Sequence, residues 1–173
     1  LRGEGLAPCA AFDIHVSDLV RSRAAETGTA LCASNAELAE LCDVIIAAVT
    51  ADQALIAAQQ TAPHLQASHI YADIDSVSPQ LKEEIAKVIE LSGARFVEIA
   101  VMGPVPPYHH KVPMLLGGAA APHFAATFEP YGMKMEVVST DRIGRAAAVK
   151  MFRSIVYKGM EALLFECVLG AGH

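Results

Sequence analysis

The sequence predicts an α/β protein in which a doubly wound, mainly parallel sheet is followed by one long helix. Two observations predict this fold class. Short apolar runs alternate with amphipathic helical stretches along most of the 173 residues, as strands and helices do in α/β layer structures. From about Gly144, a helical pattern then continues without a break to beyond Cys167.

The composition supports one globular domain with a sizeable core. Hydrophobic residues make up 53% of the chain and charged residues 18%, which argues against a disordered or coiled-coil protein. The net charge of -6 provides no general attraction for phosphate backbones, so nucleic acid is not an expected partner. No apolar run is long enough to suggest a membrane span. The four scattered cysteines predict reduced, buried thiols in a cytoplasmic protein.

The first half of the chain contains clear helix boundaries. Ser17 is a predicted N-cap and Gly28 a predicted helix stop. Ser34, with Glu37 three residues later, forms a capping box, and Thr50 is predicted to cap the third helix. The run at 43–49 is apolar on both faces, which favours a central strand covered on both sides. The predicted elements are strands at 8–13, 43–49 and 69–73 and helices at 18–27, 35–42 and 51–61.

The second half begins with a helix and then becomes richer in strands. Ser78 followed by Pro79 is a typical N-cap and first helical residue, and Gly93 is the predicted stop. The proline-rich loop at 103–111 is long and stiff, which suggests a functional position. The predicted elements are helices at 80–91 and near 123–128, strands at 95–101, 112–116 and near 135–139, and the final helix.

The final helix carries an unusual polar stripe. Its circumference is mostly apolar, which predicts a buried helix, yet Lys150, Ser154 and Lys158 recur at every fourth position beside Arg153 and Tyr157. Buried cations need anionic partners or a wet cleft. Two explanations stay open: the side chains reach solvent or a partner domain, or they line a cleft in which Lys150, with a lowered pKa, exchanges protons.

Other candidates lie in predicted loops at strand ends. Asp13 ends a strand where a doubly wound fold binds an adenosine ribose hydroxyl, although a lone Asp there can also form an Asx turn, which needs no ligand. Ser76 follows another strand and, unlike Ser78, is not needed as a helix cap, so it could face a ligand carboxylate or hydroxyl. His109 and His110 are adjacent, diverge in direction and have no evident third ligand, so no metal site is expected.

Several segments, taken in order, resemble the β-hydroxyacid dehydrogenases, the family of 6-phosphogluconate and 3-hydroxyisobutyrate dehydrogenases, and in particular its 6-phosphogluconate-dehydrogenase-like branch. Phe12-Asp13-Ile14 matches the end of the family's second strand, and residues 44–50 match its fourth strand and cofactor-facing loop. Asp73 to Pro79 is similar to the D-x-x-S substrate loop, with Ser76 at the serine position.

Two further motifs extend the resemblance. Val101-Met102-Gly103 is similar to the family's V-S-G-G turn, with Met102 in place of serine. Gly144 followed by Lys150 fits the G-x-G-x-x-x-K motif, and the family's asparagine four residues after the lysine is Ser154 here.

The resemblance implies a Rossmann-like NAD(P)-dependent oxidoreductase that transfers a hydride between the cofactor and a small β-hydroxy acid, with Lys150 as its catalytic residue. The alternative is a non-catalytic dinucleotide or metabolite-binding protein, suggested by Met102 and Ser154 at family active-site positions. NAD is expected over NADP, because Asp13 stands where a 2′-phosphate would lie. The implied substrate-binding residues are Ser76, Met102, Gly103, Arg153, Ser154 and Lys158, and the implied cofactor-binding residues are Asp13, Val49, Thr50 and Ser76.

The resemblance also implies a domain arrangement. Residues 1–143 are expected to form the larger part of an NAD(P)-binding domain, and residues 144–173 the helix that leads to a helical dimerisation domain. The family's glycine-rich fingerprint and its helical domain are not found in this sequence, which begins with Leu1 rather than Met, so we expect the chain to be a fragment. The complete protein is expected to be a homodimer or a higher oligomer.

Overall fold

The computed structural model describes residue 6 and residues 9–171. The strands are β1 (Ala10–Ala11), β2 (Ala30–Leu31), β3 (Val44–Ala47), β4 (Ile70–Asp73), β5 (Arg95–Val101), β6 (Met114–Gly117) and β7 (Met135–Ser139). The helices are α1 (Asp18–Thr27), α2 (Asn35–Leu41), α3 (Ala54–Thr61), α4 (Pro79–Glu90), α5 (Val105–Tyr108), α6 (Ala121–Phe128) and α7 (Arg145–Ala171).

The strands form a five-stranded sheet, in the order β3-β4-β5-β6-β7, and a separate parallel pair of β1 and β2. Within the larger sheet only β5 and β6 are antiparallel. Apolar clusters cover both faces: Tyr71 and Phe96 face one cluster, while Ala72 and Val97 face the other. Alternate residues of a strand point to opposite faces, so the sheet is covered on both sides and the predicted doubly wound, Rossmann-like fold is confirmed.

Most predicted helix boundaries agree with the structure, and that of α3 does not. The hydroxyls of Ser17, Ser34 and Ser78 each accept the backbone N–H three residues ahead, as N-caps do. The prediction that Thr50 caps a helix from residue 51 is wrong. The backbone of Gln53 donates to the Thr50 carbonyl at 2.9 Å, which closes a turn there, and α3 begins one residue after Gln53.

Strand pairing differs from the prediction at two places. The run at 43–49 is not a central strand in the described part of the chain: β3 pairs only with β4, and the side chain of Ile46 is 41% exposed. The two-residue strand β2 was not predicted, because two residues between a glycine stop and a helix cap carry no periodic signal. The predicted strand at 8–13 is reduced to β1, and its first residue lies outside the described residues.

The helix α7 extends well past the sheet. Ala146 and Ala147 are its only buried residues among those described, and large apolar side chains such as Phe152 and Phe165 are exposed. The prediction of a buried helix is therefore wrong for this chain, because the described residues bury only the start of the helix. No described helix is both long enough and apolar enough to cross a membrane.

The cysteines also differ in part from the prediction. All four are free thiols, but only Cys32 is buried. Cys42 is partly exposed, and Cys9 and Cys167 are exposed. Burial raises the pKa of the Cys32 thiol, which favours the less reactive protonated form.

Candidate active site

A cavity of about 370 Å³ lies between the loop after β4 and one face of α7. Because β3, β4 and β5 are parallel, their carboxyl ends meet at one edge, where open α/β sheets bind ligands. This volume suits a small molecule. We call it the first cavity, and polar side chains in its lining include Asp75, Ser76, Lys82, Lys150, Ser154 and Lys158.

Lys150 lies in the first cavity and contacts the loop after β4. Its Nζ donates a hydrogen bond to Ser76 Oγ at 2.7 Å. Its partial burial, together with the positive charge of Lys82, lowers the pKa of Lys150. A lowered pKa raises the fraction of neutral amine, which is the form that accepts a proton. The structure thus brings together two predicted site residues that are 74 positions apart in the chain.

A buried ion pair lies beside the first cavity. Lys82 Nζ is 2.9 Å from Asp73 Oδ2, and both side chains are 1% exposed. The same Nζ donates to the Asp73 carbonyl oxygen at 2.8 Å, so the buried charges have partners. Sequence analysis missed this pair. The sequence did carry a signal for this pair, because Lys82 lies on the same face of α4 as the buried Ile85 and Ile89.

Asp75 is a second residue that sequence analysis missed. Its Oδ1 accepts the Val49 backbone N–H at 2.7 Å, so it connects the loops after β3 and β4. Its own backbone N–H donates to Asp73 Oδ1 at 2.8 Å. Burial, and next the negative charge of Asp73, raise the pKa of Asp75 to about 7. Near neutral pH, the carboxyl group therefore exists in both protonation states.

A second cavity, of about 320 Å³, lies between the loops after β3 and β4. Val49 lines it, as expected for a cofactor-facing residue, and Asp75 and Ser76 line both cavities. Thr50 is not in its lining. The two cavities therefore share one wall, formed by the residues that follow β4.

Asp13 follows the carboxyl end of β1 and is not in the lining of either cavity. Its Oδ1 accepts the His15 backbone N–H at 2.8 Å, which is the Asx turn that the sequence allowed. The residue is exposed. The turn uses one carboxylate oxygen, so both interpretations of Asp13 are compatible with this geometry.

Glu98 anchors the start of α7 and so positions Lys150. This residue of β5 is fully buried, and its two carboxylate oxygens accept the backbone N–H groups of Gly144 at 2.7 Å and Ala147 at 2.6 Å. A carboxylate at a helix N-terminus satisfies free N–H groups and complements the helix dipole. Gly144 has a φ of +90°, and a Cβ there would lie 3.0 Å from Pro79.

The remaining predicted substrate residues divide into two groups. Ser154 and Lys158 line the first cavity with Lys150, whereas Met102, Gly103 and Arg153 are not in its lining. The Arg153 guanidinium donates to the Met102 carbonyl at 2.7 Å and lies over the Tyr157 ring, 5.2 Å from its centroid. Arg153 therefore ties α7 to the end of β5 in this structure.

Comparison with known proteins identifies the family. The model of the NAD binding domain of 6-phosphogluconate dehydrogenase matches residues 8–138. The chain belongs to this family. It is also 28% identical over 146 residues to the mitochondrial 3-hydroxyisobutyrate dehydrogenase of Drosophila melanogaster, covering 80% of this chain and 45% of that protein.

Two solved structures share the fold and have higher sequence identity. A conserved hypothetical protein from Sinorhizobium meliloti 1021 superposes with a TM-score of 0.86 and 36% identity, covering 99% of this chain and 57% of that one. A conserved protein of unknown function, described as structurally similar to 3-hydroxyacid dehydrogenases, superposes with a TM-score of 0.85 and 31% identity, covering 99% and 63%. The chain thus covers 45% of the length of the Drosophila enzyme and 57% and 63% of the lengths of these two proteins.

Proposed function

We propose that the complete protein is an NAD(P)-dependent oxidoreductase that transfers a hydride between the cofactor and a small β-hydroxy acid. The observation that carries this proposal is the 2.7 Å contact of Lys150 Nζ with Ser76 Oγ in the first cavity. It combines a proton-exchanging group and a polar anchor at the ligand-binding edge of the sheet.

Lys150 is the proposed catalytic residue. Hydride transfer from an alcohol leaves a carbonyl only when the hydroxyl proton is also removed, and this requires a base beside the hydroxyl. The lowered pKa of Lys150, caused by burial and by Lys82, favours the neutral amine needed for that role. In the reverse direction, the protonated amine returns the proton.

The proposed substrate-binding groups hold the acid end of the ligand. Lys158 and Ser154 lie on the same stripe of α7 as Lys150 and line the first cavity, so a carboxylate there meets a positive charge and a hydroxyl donor. Ser76 would orient the hydroxyl. We keep three further residues beside the site as proposed substrate-binding residues: Met102, Gly103 and Arg153. They could contact a substrate only if the Arg153 side chain moves.

The chain also offers groups that fit a dinucleotide. Val49, Asp75 and Ser76 line the second cavity, and Asp13 is exposed beyond β1. When bound, NAD(P) supplies the hydride acceptor or donor. Val49, Thr50 and Ser76 would hold it between the loops after β3 and β4. The Asp13 carboxylate would favour NAD, because it repels the 2′-phosphate of NADP.

The domain arrangement is part of the proposal. Residues 1–143 would be the larger part of the NAD(P)-binding domain, and residues 144–173 the helix leading to a helical dimerisation domain. The apolar side chains exposed along α7 support this, since large apolar surfaces usually contact another protein surface. We propose a cytoplasmic homodimer or higher oligomer.

A second candidate function is a non-catalytic dinucleotide or metabolite-binding protein. It rests on Met102 and Ser154, which stand at positions where the family resemblance implies other active-site residues. Saturable ligand binding without turnover would support this candidate over the enzyme.

The decisive experiment compares two lysines of the first cavity in the complete protein. A spectrophotometric screen of small hydroxy acids with NAD and NADP would first identify a substrate. Lys150→Met should then keep the fold but lower kcat by about 10² to 10⁴, the usual contribution of acid and base catalysis. Lys158→Met should mainly raise KM, because it removes only an attractive charge. Comparable small losses in both variants would contradict the catalytic role of Lys150.

A further inference from the structure

Lys82 is a buried cation to which the proposed mechanism gives no role of its own. It lies on a face of α4 that is otherwise apolar, together with the buried Ile85 and Ile89, and its side chain is 1% exposed. It also lines the first cavity with Lys150. Burying a charge costs free energy, and apolar residues of similar volume often stabilise a protein as well as a buried ion pair does. A contribution to stability therefore does not explain a lysine at this position.

The contacts of Lys82 hold the start of the loop that carries Ser76. Lys82 Nζ is 2.9 Å from Asp73 Oδ2 and donates to the Asp73 carbonyl oxygen at 2.8 Å. Asp73 Oδ1 in turn accepts the backbone N–H of Asp75 at 2.8 Å. In the same loop, Ser76 Oγ accepts the hydrogen bond from Lys150. Lys82 thus connects α4 to the segment that meets Lys150.

The elements around Lys82 and Lys150 carry several other titratable groups. They are Tyr71 and Asp73 on β4, Asp75 in the loop after it, Glu98 on β5, and Arg153, Tyr157 and Lys158 on α7. Asp73 is paired with Lys82, and both carboxylate oxygens of Glu98 accept N–H groups at the start of α7. Among the described residues, Lys150 forms no ion pair with a carboxylate. Its burial, and next the positive charge of Lys82, lower the pKa of Lys150.

We propose that Lys82 is a positioning residue for the proposed reaction. Through Asp73 it fixes the loop that presents Ser76 to Lys150, and its positive charge disfavours a second positive charge on Lys150. Lys82 thereby favours the neutral amine, which accepts the hydroxyl proton when the carbinol C–H bond gives its hydride to the cofactor. The inference rests on the proposed function, and it deepens that function by assigning a residue that controls the protonation of Lys150.

The test measures the protonation of Lys150 in the complete protein. Acetic anhydride acetylates neutral amines and not ammonium groups, so the rate at which Lys150 is labelled at each pH, measured by mass spectrometry, follows its deprotonation. In the wild type, the labelling midpoint of Lys150 should lie at a lower pH than that of Lys87, which is exposed on the same helix as Lys82. Equal midpoints would overturn the proposal.

Two variants of Lys82 separate its charge from its packing. Lys82→Met keeps much of the side-chain volume but removes the charge, so the labelling midpoint of Lys150 should rise by about 0.5 to 1 pH unit. Lys82→Arg keeps the charge in a different shape and should keep the low midpoint. Lys87→Met is the matched control and should change nothing. An equal rise in Lys82→Arg and Lys82→Met, or no rise in Lys82→Met, would overturn the proposal.

A double variant keeps the test available if Lys82→Met does not fold. The single substitution leaves Asp73 buried without its cation, which destabilises a protein. Lys82→Met combined with Asp73→Asn removes both charges, and circular dichroism would verify that it folds. The labelling midpoint of Lys150 should rise in this variant also, because the positive charge is again absent. An unchanged midpoint in the folded double variant would overturn the proposal.

Labelling needs no substrate, so this inference and the proposed function can fail separately. With a substrate, the lower-pH limb of the kcat/KM profile should move to higher pH in Lys82→Met and stay in place in Lys82→Arg. Turnover with an unshifted profile and midpoint in Lys82→Met would overturn the inference and leave the enzyme. A midpoint that depends on the charge of Lys82, without turnover, would refute the enzyme and leave Lys82 as the residue that controls Lys150.

Discussion

Replacing the carboxylate that anchors α7 tests how the site is held in place. In Glu98→Gln the side chain keeps its size but has one oxygen instead of two. That oxygen can accept only one of the two N–H groups now bound, from Gly144 and Ala147. The amide NH₂ then faces the other backbone N–H, donor against donor, inside a region where Glu98 is 0% exposed.

The expected loss of stability follows from these two bonds. Hydrogen bonds to charged groups contribute about 1.5–3 kcal/mol each, and neutral ones about 1 kcal/mol. One bond is lost and the other becomes neutral, so the free energy of unfolding should fall by about 2–5 kcal/mol. For a chain of this size, such a loss lowers Tm by roughly 4–20 °C.

Urea and thermal unfolding followed by circular dichroism would measure this loss. Glu136 on β7 is exposed and is the matched control, because Glu136→Gln should stay within about 0.5 kcal/mol of the wild type. Hydrogen exchange at the Ala147 amide should also accelerate in Glu98→Gln. A variant within about 1 kcal/mol of the wild type would refute the argument that Glu98 anchors α7 through two charged hydrogen bonds.

Three further outcomes are expected. In the complete protein, NAD should be preferred, and Asp13→Ala combined with Ile14→Arg should weaken or reverse the preference; equal initial use of NAD and NADP would contradict it. The pKa of Asp75 rises to about 7 on folding, from about 3.9 when unfolded, so ionisation of Asp75 destabilises the native state. The free energy of unfolding, measured by urea titration, should therefore fall between about pH 4 and 7 and then level off. In Asp75→Asn this pH dependence should disappear. Since α7 exposes large apolar side chains, this chain should self-associate, and a monodisperse monomer by light scattering would contradict this.

The sequence predicted helix caps well where the cap depends only on neighbouring residues. The caps at Ser17, Ser34 and Ser78 depend on side chains within three residues of the first turn, and all three were predicted correctly. Thr50 carries the same signal but lies in a competing hydrogen-bonded turn. A capping residue therefore identifies a candidate helix start, and the following residues decide whether the helix begins there.

Contacts between residues far apart in the sequence were harder to predict than helix caps. The contact between Lys150 and Ser76 could be anticipated because both residues belonged to candidate ligand segments. The role of Asp75 depends on Val49, which lies 26 residues away, and no local pattern encodes that pair. Glu98 had a readable signal, as a charged residue within an otherwise apolar strand, but its partners begin 46 residues later. The exposure of α7 depends on what packs against it, which periodicity cannot show.

The reversed direction of β6 determines where α7 starts. Because β6 is antiparallel to β5, Gly117 pairs with Glu98 and β7 then ends at Ser139 beside Gly117, so α7 starts near the middle of β5 and reaches the ligand edge at Lys150. Ala147, held by Glu98, and Lys150 are three residues apart, about 300° around the helix axis and 4.5 Å along it.

Because of this spacing, the number of residues between Ala147 and Lys150 determines the direction of the Lys150 side chain. One residue inserted between Ala147 and Lys150 would rotate the lysine by about 100° and turn it away from Ser76. The same insertion in the exposed segment around Pro107 would leave the anchor and the lysine in register. Proteins built on this plan can therefore vary in length at their loops, whereas a change in the number of residues between Ala147 and Lys150 would move the lysine out of the site.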